Sequence, residues 1–199
     1  MGEPGAVAAA SRCLLGGGVT LLPTDTVYGL AAHPAHEKAV DRLFALKGRP
    51  RSRNLPVMVA GRDEIPRLGG VVSRAADLLL ESKYVPGPLT LAVGVSPEAA
   101  VTWLAGRAEF AFRIPGDEQL LSILRSTGPL LVTSANLHAQ ETRESVPEIL
   151  ASLDGEPDLV VDDGIRDTVP STLVNCRVEP PVIERVGAVP REEIEAVFA

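Results

Sequence analysis

Short apolar runs alternate with helix-like stretches along the whole chain, and this alternation restricts the fold more than any other feature. Val19 to Leu22 and Leu89 to Val95 are typical of buried strands. Between them, residues 36–47 carry apolar side chains at the spacing of one helix face. Strands that alternate with helices favour an α/β fold. Since no linker, repeat or low-complexity tract interrupts the pattern, we expect residues 1–199 to form a single domain.

The other apolar runs and helix signals complete the predicted order of elements. Further strands are predicted at residues 55–59, 109–114, 130–133, 159–161, 172–174 and 182–183. Further helices are predicted at residues 7–15, 73–82, 117–125 and 190–198. Ser145 and Glu148 match a capping box, so another helix is expected to begin there.

The charge and composition exclude several classes of protein. The net charge is -7 and aromatic residues make up 4% of the chain, which disfavours a large nucleic-acid footprint. No apolar run reaches the roughly 18 residues of a membrane-spanning helix. The chain starts Met1-Gly2-Glu3, without the basic start of a secretory signal, so we expect a cytoplasmic protein. The two cysteines and three histidines show no metal-ligand spacing, and no protein metal site is predicted.

Two segments after apolar runs combine polar groups that could bind a ligand. Residues 23–30 read Pro-Thr-Asp-Thr-Val-Tyr-Gly-Leu, in which Thr24, Asp25 and Thr26 lie in a loop before an apolar turn. Their side chains could hold a small polar ligand, or they could satisfy their own backbone in an Asx or ST turn. Residues 47–54 hold four cations within seven residues, including Lys47 and Arg49. These suit a triphosphate, although a solvated surface loop would look the same.

Further polar groups lie at the ends of other apolar runs. Ser134 and Asn136 end the run that begins near Leu130, and they could contact a nucleotide and its phosphate. A simple strand-ending turn is the alternative. Arg113 and Arg185 each end an apolar run, where a cation belongs either to a site or to a structural ion pair. Ser171 belongs with these segments as a hydroxyl at the start of a strand. Because the chain has neither a Walker loop nor a G-x-G-x-x-G motif, ATP chemistry would need a different phosphate cradle.

In their order and spacing, these segments resemble the YrdC family, which includes the bacterial TsaC-type threonylcarbamoyl-AMP synthases. The motifs are Pro-Thr-Asp-Thr-Val-Tyr-Gly-Leu at 23–30, Lys-Gly-Arg-Pro at 47–50, Pro-Gly-Pro-Leu-Thr-Leu at 86–91, Phe-Arg-Ile-Pro at 112–115, Thr-Ser-Ala-Asn at 133–136, Pro-Ser-Thr-Leu-Val at 170–174 and Arg-Val-Gly-Ala-Val at 185–189. The resemblance covers nearly the whole chain. It implies a twisted, open, mixed α/β sheet with flanking helices and a concave basic cavity.

The resemblance also implies a nucleotidyltransferase reaction in two stages. L-threonine and bicarbonate give a threonylcarbamate, whose carboxylate attacks the α-phosphate of ATP and displaces pyrophosphate. The product, threonylcarbamoyl-AMP, would serve the threonylcarbamoyladenosine modification of transfer RNA. A separate tRNA threonylcarbamoyl transferase would receive it in a transient handover, with weak or absent tRNA binding by this chain. Mg2+ would accompany ATP, held through phosphates and water.

Site roles follow from the resemblance at the matching positions. Lys47 and Arg49 are expected to be catalytic, because they would neutralise the triphosphate as pyrophosphate leaves. The expected ATP and phosphate ligands are Lys47, Arg49, Ser134, Asn136 and Arg185. The expected threonine and carbamate ligands are Thr26, Arg113 and Ser171. Catalysis by positioning and electrostatics is expected, without a covalent enzyme intermediate.

One departure from the family pattern and two rival functions remain. The sequence after Asn136 is Leu137-His138-Ala139-Gln140 instead of the Ser-Gly pair that the family often has, and residues 138–145 are a candidate lid. A carbamoyltransferase-type domain that handles a carbamoyl-adenylate would need the same cationic cradle. A non-catalytic RNA-binding module is the rival from another class, supported only by the basic segment at 47–53.

Overall fold

A mixed β-sheet runs through the protein and carries helices on both faces. The computed structural model describes residues 5–99, 101–104 and 106–199. Within these ranges the strands are β1 (Thr20–Leu22), β2 (Gly29–Ala32), β3 (Val57–Met58), β4 (Gly70–Val71), β5 (Leu89–Val95), β6 (Glu109–Arg113), β7 (Leu130–Ser134), β8 (Leu159–Val160), β9 (Thr172–Asn175) and β10 (Val182–Arg185). The α-helices are α1 (Ala6–Leu15), α2 (Glu37–Leu46), α3 (Glu64–Arg67), α4 (Arg74–Leu80), α5 (Glu118–Thr127), α6 (Val146–Ser152) and α7 (Arg191–Glu195). Short 3₁₀ turns cover Thr102–Leu104 and Ala196–Phe198.

The strand order is β10-β9-β5-β6-β3-β7-β2-β1-β8, and β4 pairs with β5 outside this path. The β1–β8, β3–β6 and β5–β9 pairs are parallel, and the other pairs are antiparallel. Since the path ends at β10 on one side and β8 on the other, the sheet is open across the described residues. The expected open, mixed sheet with flanking helices is therefore confirmed.

The hydrophobic core has two parts, one on each face of the sheet. On β2, Leu30 packs into the larger cluster and Ala31 into the smaller one, as alternation along a strand requires. Helices α1 and α5 supply the smaller cluster through residues such as Leu14 and Leu124. Helices α2, α4, α6 and α7 pack into the larger one. The smaller cluster includes residues of β1, β2, β3 and β7 but none of β5 or β6. Thr90, Ala92 and Ala111 of β5 and β6 belong to neither cluster, so this part of the sheet is open to a site.

Local sequence signals explain where the helices begin and end. Val40, Leu43 and Phe44 of α2 are buried on one stripe, as their spacing predicts. The Asp117 carboxylate caps α5 by accepting from the backbone N–H of Leu120 at 2.8 Å. Gly128, with φ of 81°, ends that helix.

The predicted elements are recovered with few exceptions. The prediction of an apolar turn after Thr26 is wrong, because residues 29–32 form strand β2, which pairs with β1 and β7. The strand expected at 55–59 is regular only at Val57–Met58, since Pro56 has no N–H to give to the sheet. Helix α3 and strand β4 were not predicted. Residues 1–4, which bear on the expected location, lie outside the described residues, and no described helix has the length and apolarity needed to cross a bilayer.

Candidate functional site

The eight predicted site residues line two adjoining cavities. Lys47, Arg49, Ser134, Asn136 and Arg185 line a larger cavity of about 940 Å³. Thr26, Arg49, Arg113, Ser134, Ser171 and Arg185 line a smaller cavity of about 400 Å³. Arg49, Ser134 and Arg185 are common to both linings. Segments that lie far apart in sequence therefore form one continuous site.

Lys47 follows the last turn of α2, and its side chain is directed into the protein. Only 2% of the residue is exposed. Its Nζ donates to the backbone carbonyl of Ser134 and, at 2.6 Å, to that of Asn136. Burial, and to a smaller extent the positive charge of Arg49, lowers the pKa of Lys47 to about 7. An anion placed beside this amine would favour the charged form, so ligand binding and protonation are coupled here.

The loop after β7 is fixed by its own amide side chain. The Asn136 side-chain nitrogen donates to the carbonyls of Leu137 at 2.9 Å and Gln140 at 2.7 Å. The backbone N–H of His138 donates to the carbonyl of Lys47 at 2.8 Å. Asn136 is 8% exposed and lines the larger cavity. Its side-chain amide hydrogens are thus used to shape the loop, and its remaining role toward a ligand stays a prediction.

The basic segment after Lys47 forms a compact turn held by arginine. The Arg49 guanidinium donates to the carbonyl of Asn54 at 2.8 Å and that of Arg53 at 3.4 Å. Partial burial, with the charge of Arg53 as a second cause, lowers the pKa of Arg49. An anionic neighbour stabilises the charged form of a guanidinium that is partly buried beside a like charge. This supports the expected phosphate role of Arg49.

Arg113 ends β6 as a buried cation with fixed partners. Its Nε donates to the carbonyl of Gly87 at 2.9 Å, and its Nη1 donates to the hydroxyl of Thr26 at 2.8 Å. Its Nη2 lies 2.8 Å from Oδ1 of Asp25 in an ion pair whose side chains are only 5% and 15% exposed. Burial lowers the pKa of Arg113, and Asp25 opposes this effect. Arg113 is therefore both a structural ion-pair partner and a lining residue of the smaller cavity.

The hydrogen bonds of two threonines fix the polarity of Thr26 toward the cavity. The Thr24 hydroxyl donates its hydrogen to the carbonyl of Val27 at 2.7 Å. In the 3.1 Å contact between the two hydroxyls, Thr26 must therefore be the donor. Thr26 also accepts from Arg113, which leaves one lone pair. The Thr26 hydroxyl can thus receive a hydrogen bond from a ligand, but it has no hydrogen left to donate.

Arg185 at the end of β10 clamps the start of β9. Its Nη2 donates to the carbonyl of Ser171 at 2.8 Å and to the hydroxyl of Ser171 at 3.2 Å. Partial burial and the charge of Arg113 lower the pKa of Arg185. The turn that follows is held by the Thr172 hydroxyl, which accepts from the backbone N–H of Gly187 at 2.9 Å and donates to the carbonyl of Val189 at 2.6 Å. The hydrogen bonds of Arg185 and of the turn after it therefore hold its side chain against Ser171.

Several residues in or near the site are not among the eight predicted site residues. Thr24 and Thr90 line the smaller cavity, and Asp25, outside the lining, forms an ion pair with Arg113. Tyr28 lines neither cavity: its hydroxyl, whose pKa burial and Asp162 raise to about 12, donates to the carbonyl of Gly164 at 2.7 Å. Thr24, Asp25 and Tyr28 lie inside the first motif, so that motif was the available signal. Nothing in the sequence connects Thr90 with Ser171, which lies 81 positions away.

The candidate lid, residues 138–145, forms part of the wall of the larger cavity. The Thr142 hydroxyl donates to the carbonyl of Thr168 at 2.7 Å, and the carbonyl of Glu144 accepts from the backbone N–H of Arg166 at 2.9 Å. The segment is therefore tied to residues 166–168 in this state. Its movement on ligand binding stays a prediction.

Charge is unevenly distributed in the lining of the two cavities. Taken together, the two linings contain six basic and five acidic side chains among the described residues. The acids are Glu109, Glu141, Glu144, Glu148 and Glu184. The two arginines that line both cavities, Arg49 and Arg185, place positive charge where the cavities meet. An anionic group is expected to bind at that junction.

Comparisons with known proteins identify the family of the chain. The model of the family described as Telomere recombination (Sua5_yciO_yrdC) matches residues 12–187. The chain is 33% identical over 184 residues to the threonylcarbamoyl-AMP synthase of Pyrococcus abyssi, covering 92% of this chain and 54% of that protein. It is 33% identical over 195 residues to the enzyme of the same name from Bacillus subtilis, covering 96% and 56%.

A solved structure extends the likeness to three dimensions. The crystal structure of P. abyssi Sua5 complexed with L-threonine superposes with a TM-score of 0.85 at 30% identity, covering 96% of this chain and 57% of that chain. This chain spans about half the length of the curated relatives named above. The motif order, the mixed sheet and the match over residues 12–187 together lead to one assignment. The chain belongs to the Sua5/YciO/YrdC family.

Proposed function

We propose that the protein forms threonylcarbamoyl-AMP and pyrophosphate from L-threonine, bicarbonate and ATP. The observation that carries this proposal is the meeting of two cavities at Arg49, Ser134 and Arg185. The larger cavity has the volume and cations for a nucleotide triphosphate, and the smaller one has hydroxyls and Arg113 for an amino acid. An adenylate-forming reaction needs these two kinds of ligand side by side.

The larger cavity would hold ATP. Lys47 and Arg49 would face the triphosphate, with Lys47 charged once phosphate is bound. Ser134 and Asn136 would contact the adenylate and its phosphate, and Arg185 would close the phosphate side. As pyrophosphate leaves, its developing charge would be stabilised by the fixed cations, which need no rearrangement because their partners already hold them.

The smaller cavity would hold L-threonine and then its carbamate. Thr26 has an acceptor to offer, which suits an amine or hydroxyl hydrogen of the amino acid. Arg113 and Ser171 would steady anionic oxygen. The likeness to P. abyssi Sua5, whose crystal structure is a complex with L-threonine, supports an amino acid as one of the ligands.

The reaction would proceed in two bond-forming steps. The amine nitrogen attacks the carbon of bicarbonate, water is lost, and the carbamate forms. A carbamate oxygen then bonds to the α-phosphorus of ATP while the bond to the bridging oxygen of pyrophosphate breaks. The residues named above contribute by binding, orientation and charge, without forming a covalent bond to substrate.

Magnesium would enter as part of the substrate MgATP. Among the described residues, no group of three or more His, Cys, Asp or Glu side chains is placed to hold a metal ion. The phosphates and water would supply its ligands, as is usual for magnesium bound to nucleotides. The eventual use of the product in tRNA modification, its handover to a separate transferase, the cytoplasmic location and the single-domain organisation stay predictions.

The first test is pyrophosphate release from MgATP with L-threonine or bicarbonate omitted in turn. Release that requires both supports the synthase. Release that ignores threonine and responds to carbamoyl phosphate would favour the carbamoyl-adenylate alternative. If no condition gave release and the protein retained RNA with a steep salt dependence, a binding module would be the better description.

A matched pair of variants tests the role of Lys47 in the same assay. Lys47→Met removes the buried amine after α2, and Lys38→Met makes the same change at an exposed position in α2. Losing one charge-assisted phosphate contact should raise the barrier by about 2–4 kcal/mol in the first variant and leave the second unchanged. Equal activity of Lys47→Met and wild type would remove Lys47 from the phosphate site.

A further inference from the structure

Thr90 and Ser171 place two hydroxyl groups together in the wall of the smaller cavity. Thr90 lies in β5 and Ser171 directly precedes β9, which pairs in parallel with β5. Their oxygens are 2.7 Å apart, and the residues are 5% and 6% exposed. Both residues line the cavity that contains Arg113 and Arg185.

A count of hydrogens shows that this pair must have one to spare. The pair carries two hydroxyl hydrogens, and the bond between the two oxygens uses one. Arg185 adds a third hydrogen by donating to the Ser171 oxygen. Neither hydroxyl donates to any other acceptor among the described residues. Whichever of the two is the internal donor, one hydroxyl hydrogen remains for a ligand in the cavity.

The surroundings determine which ligand atom would receive this hydrogen. The guanidinium of Arg185 contacts Ser171 directly, and the charge of Arg113 acts on Arg185. A hydroxyl donor beside two cations favours an anionic oxygen. Thr26 lines the same cavity and can only accept, so the smaller cavity has one donating and one accepting hydroxyl site. An amino acid or its carbamate carries both complementary groups.

We propose that Thr90 is a further substrate-binding residue, and that the Thr90–Ser171 pair donates one hydrogen bond to a carboxylate or carbamate oxygen in the smaller cavity. This proposal rests on the proposed function above. It also predicts redundancy, because either hydroxyl alone still has a free hydrogen. Thr90→Val leaves the Ser171 hydrogen available, and Ser171→Ala leaves that of Thr90. Only the double variant, Thr90→Val with Ser171→Ala, has no hydroxyl hydrogen to donate to a ligand.

A double-mutant cycle on steady-state pyrophosphate release tests this redundancy. Each single variant should raise the KM for the bound substrate by less than about 5-fold. The double variant should raise it about 10- to 100-fold, well above the product of the two single effects, because a hydrogen bond to a charged group is lost. If the KM for L-threonine changes, the acceptor is the amino-acid carboxylate. If the KM for bicarbonate changes, it is the carbamate oxygen.

The opposite pattern would overturn the proposal. If the hydroxyl pair only joins β5 to Ser171, each single variant removes the same bond and the double variant costs no more than the worse single one. Thr90→Ser combined with Ser171→Ala keeps one hydroxyl hydrogen, so the KM of this double variant should equal that of Ser171→Ala alone. Thr20→Val is the matched control, since Thr20 is fully buried in β1 and lines neither cavity.

Two further measurements keep the test decisive. The melting temperature of each variant separates misfolding from loss of binding. If the first double variant does not fold, Thr90→Cys with Ser171→Ala is used instead, because a thiol is a weaker hydrogen-bond donor than a hydroxyl. Calorimetric titration of L-threonine into the wild type separates failure of this proposal from failure of the proposed function. Wild-type protein that neither binds L-threonine nor releases pyrophosphate would refute both, whereas a wild type that does both isolates the hydroxyl pair.

Discussion

The side-chain amine of Lys47 donates to the backbone carbonyl of Asn136 over 2.6 Å, across 89 positions of sequence. In the opposite direction, the carbonyl of Lys47 accepts from the backbone N–H of His138 at 2.8 Å. The end of α2 and the loop after β7 are therefore fastened to each other at two points. The amine that would meet phosphate is held by the same loop that carries Ser134 and Asn136.

The lowered pKa of Lys47 predicts that ATP binding takes up a proton. With a pKa of about 7 in place of the ordinary 10.5, the amine is largely neutral at pH 8. Bound triphosphate favours the ammonium form, so up to one proton should be absorbed. Calorimetric titrations in two buffers of different ionisation enthalpy measure this uptake. Lys47→Met should abolish the difference, and identical enthalpies for the wild type would contradict the prediction.

The same group predicts how stability changes with pH. Between about 7 and 10.5 the unfolded chain binds a proton at Lys47 that the folded protein does not. The free energy of unfolding should therefore rise with pH across this window, and the contribution is lost as pH falls through 7. Urea unfolding at several pH values, with Lys47→Met for comparison, isolates this contribution. A wild-type curve parallel to that of the variant would show that the amine titrates normally.

Removing the charge of Asp25 should destabilise the protein strongly. Asp25→Asn leaves Arg113, whose side chain is 5% exposed, without its anionic partner. Breaking one side of a buried ion pair costs about 3–5 kcal/mol. Asp77→Asn breaks the exposed pair with Arg62 and should cost less than about 1 kcal/mol. Urea denaturation compares the two, and equal losses would mean that Asp25 contributes no more than a surface charge.

Thr20→Val should stabilise the protein. The Thr20 hydroxyl is fully buried in β1 and has no hydrogen-bond partner among the described residues. Valine has the same shape and a higher preference for strands, so the free energy of unfolding should rise by about 1 kcal/mol. A fall in the urea midpoint would indicate that the hydroxyl is satisfied, for instance by a bound water.

Gly187→Ala should impair the reaction through the position of Arg185. A β-carbon at residue 187 would lie 2.1 Å from the carbonyl oxygen of Pro170 and 2.6 Å from the carbonyl carbon of Ser171. The turn must therefore move away from β9, and a displacement near 1 Å at a positioning element can reduce kcat/KM on the order of 100-fold. Gly94→Ala, whose nearest neighbours lie at 4.0 Å, is the control in the same assay.

Periodicity was sufficient for the long elements of the fold and insufficient for the short ones. Residues 89–95 were predicted with their observed limits as β5, because seven residues with few polar side chains are a strong strand signal. Strand β2 begins with a glycine and ends with two alanines, and such small side chains give little hydrophobic pattern. Its strand character comes from pairing on both sides with β1 and β7, which is a tertiary effect.

The candidate site shows the same division between local and distant information. Motif order identified Lys47, Ser134 and Arg185 as members of one site, and the cavities bring them together. The proximity of Thr90 to Ser171, and of Asp25 to Arg113, depends on strand order and register. Neither contact leaves a trace in the spacing of residues along the chain.

The pairing of β2 with β7 has a consequence for how this chain can vary. Gly29 lies opposite Ser134, and Ala32 lies opposite Leu131, so the first motif and the Ser134 loop emerge at one end of the same ladder. Inserting one residue in either strand would turn its side chains to the other face and separate the two loops. Changes of length that preserve the site should therefore be confined to surface connections outside the cavity walls. The paired strands β2 and β7 fix the distance between the first motif and the loop after Ser134.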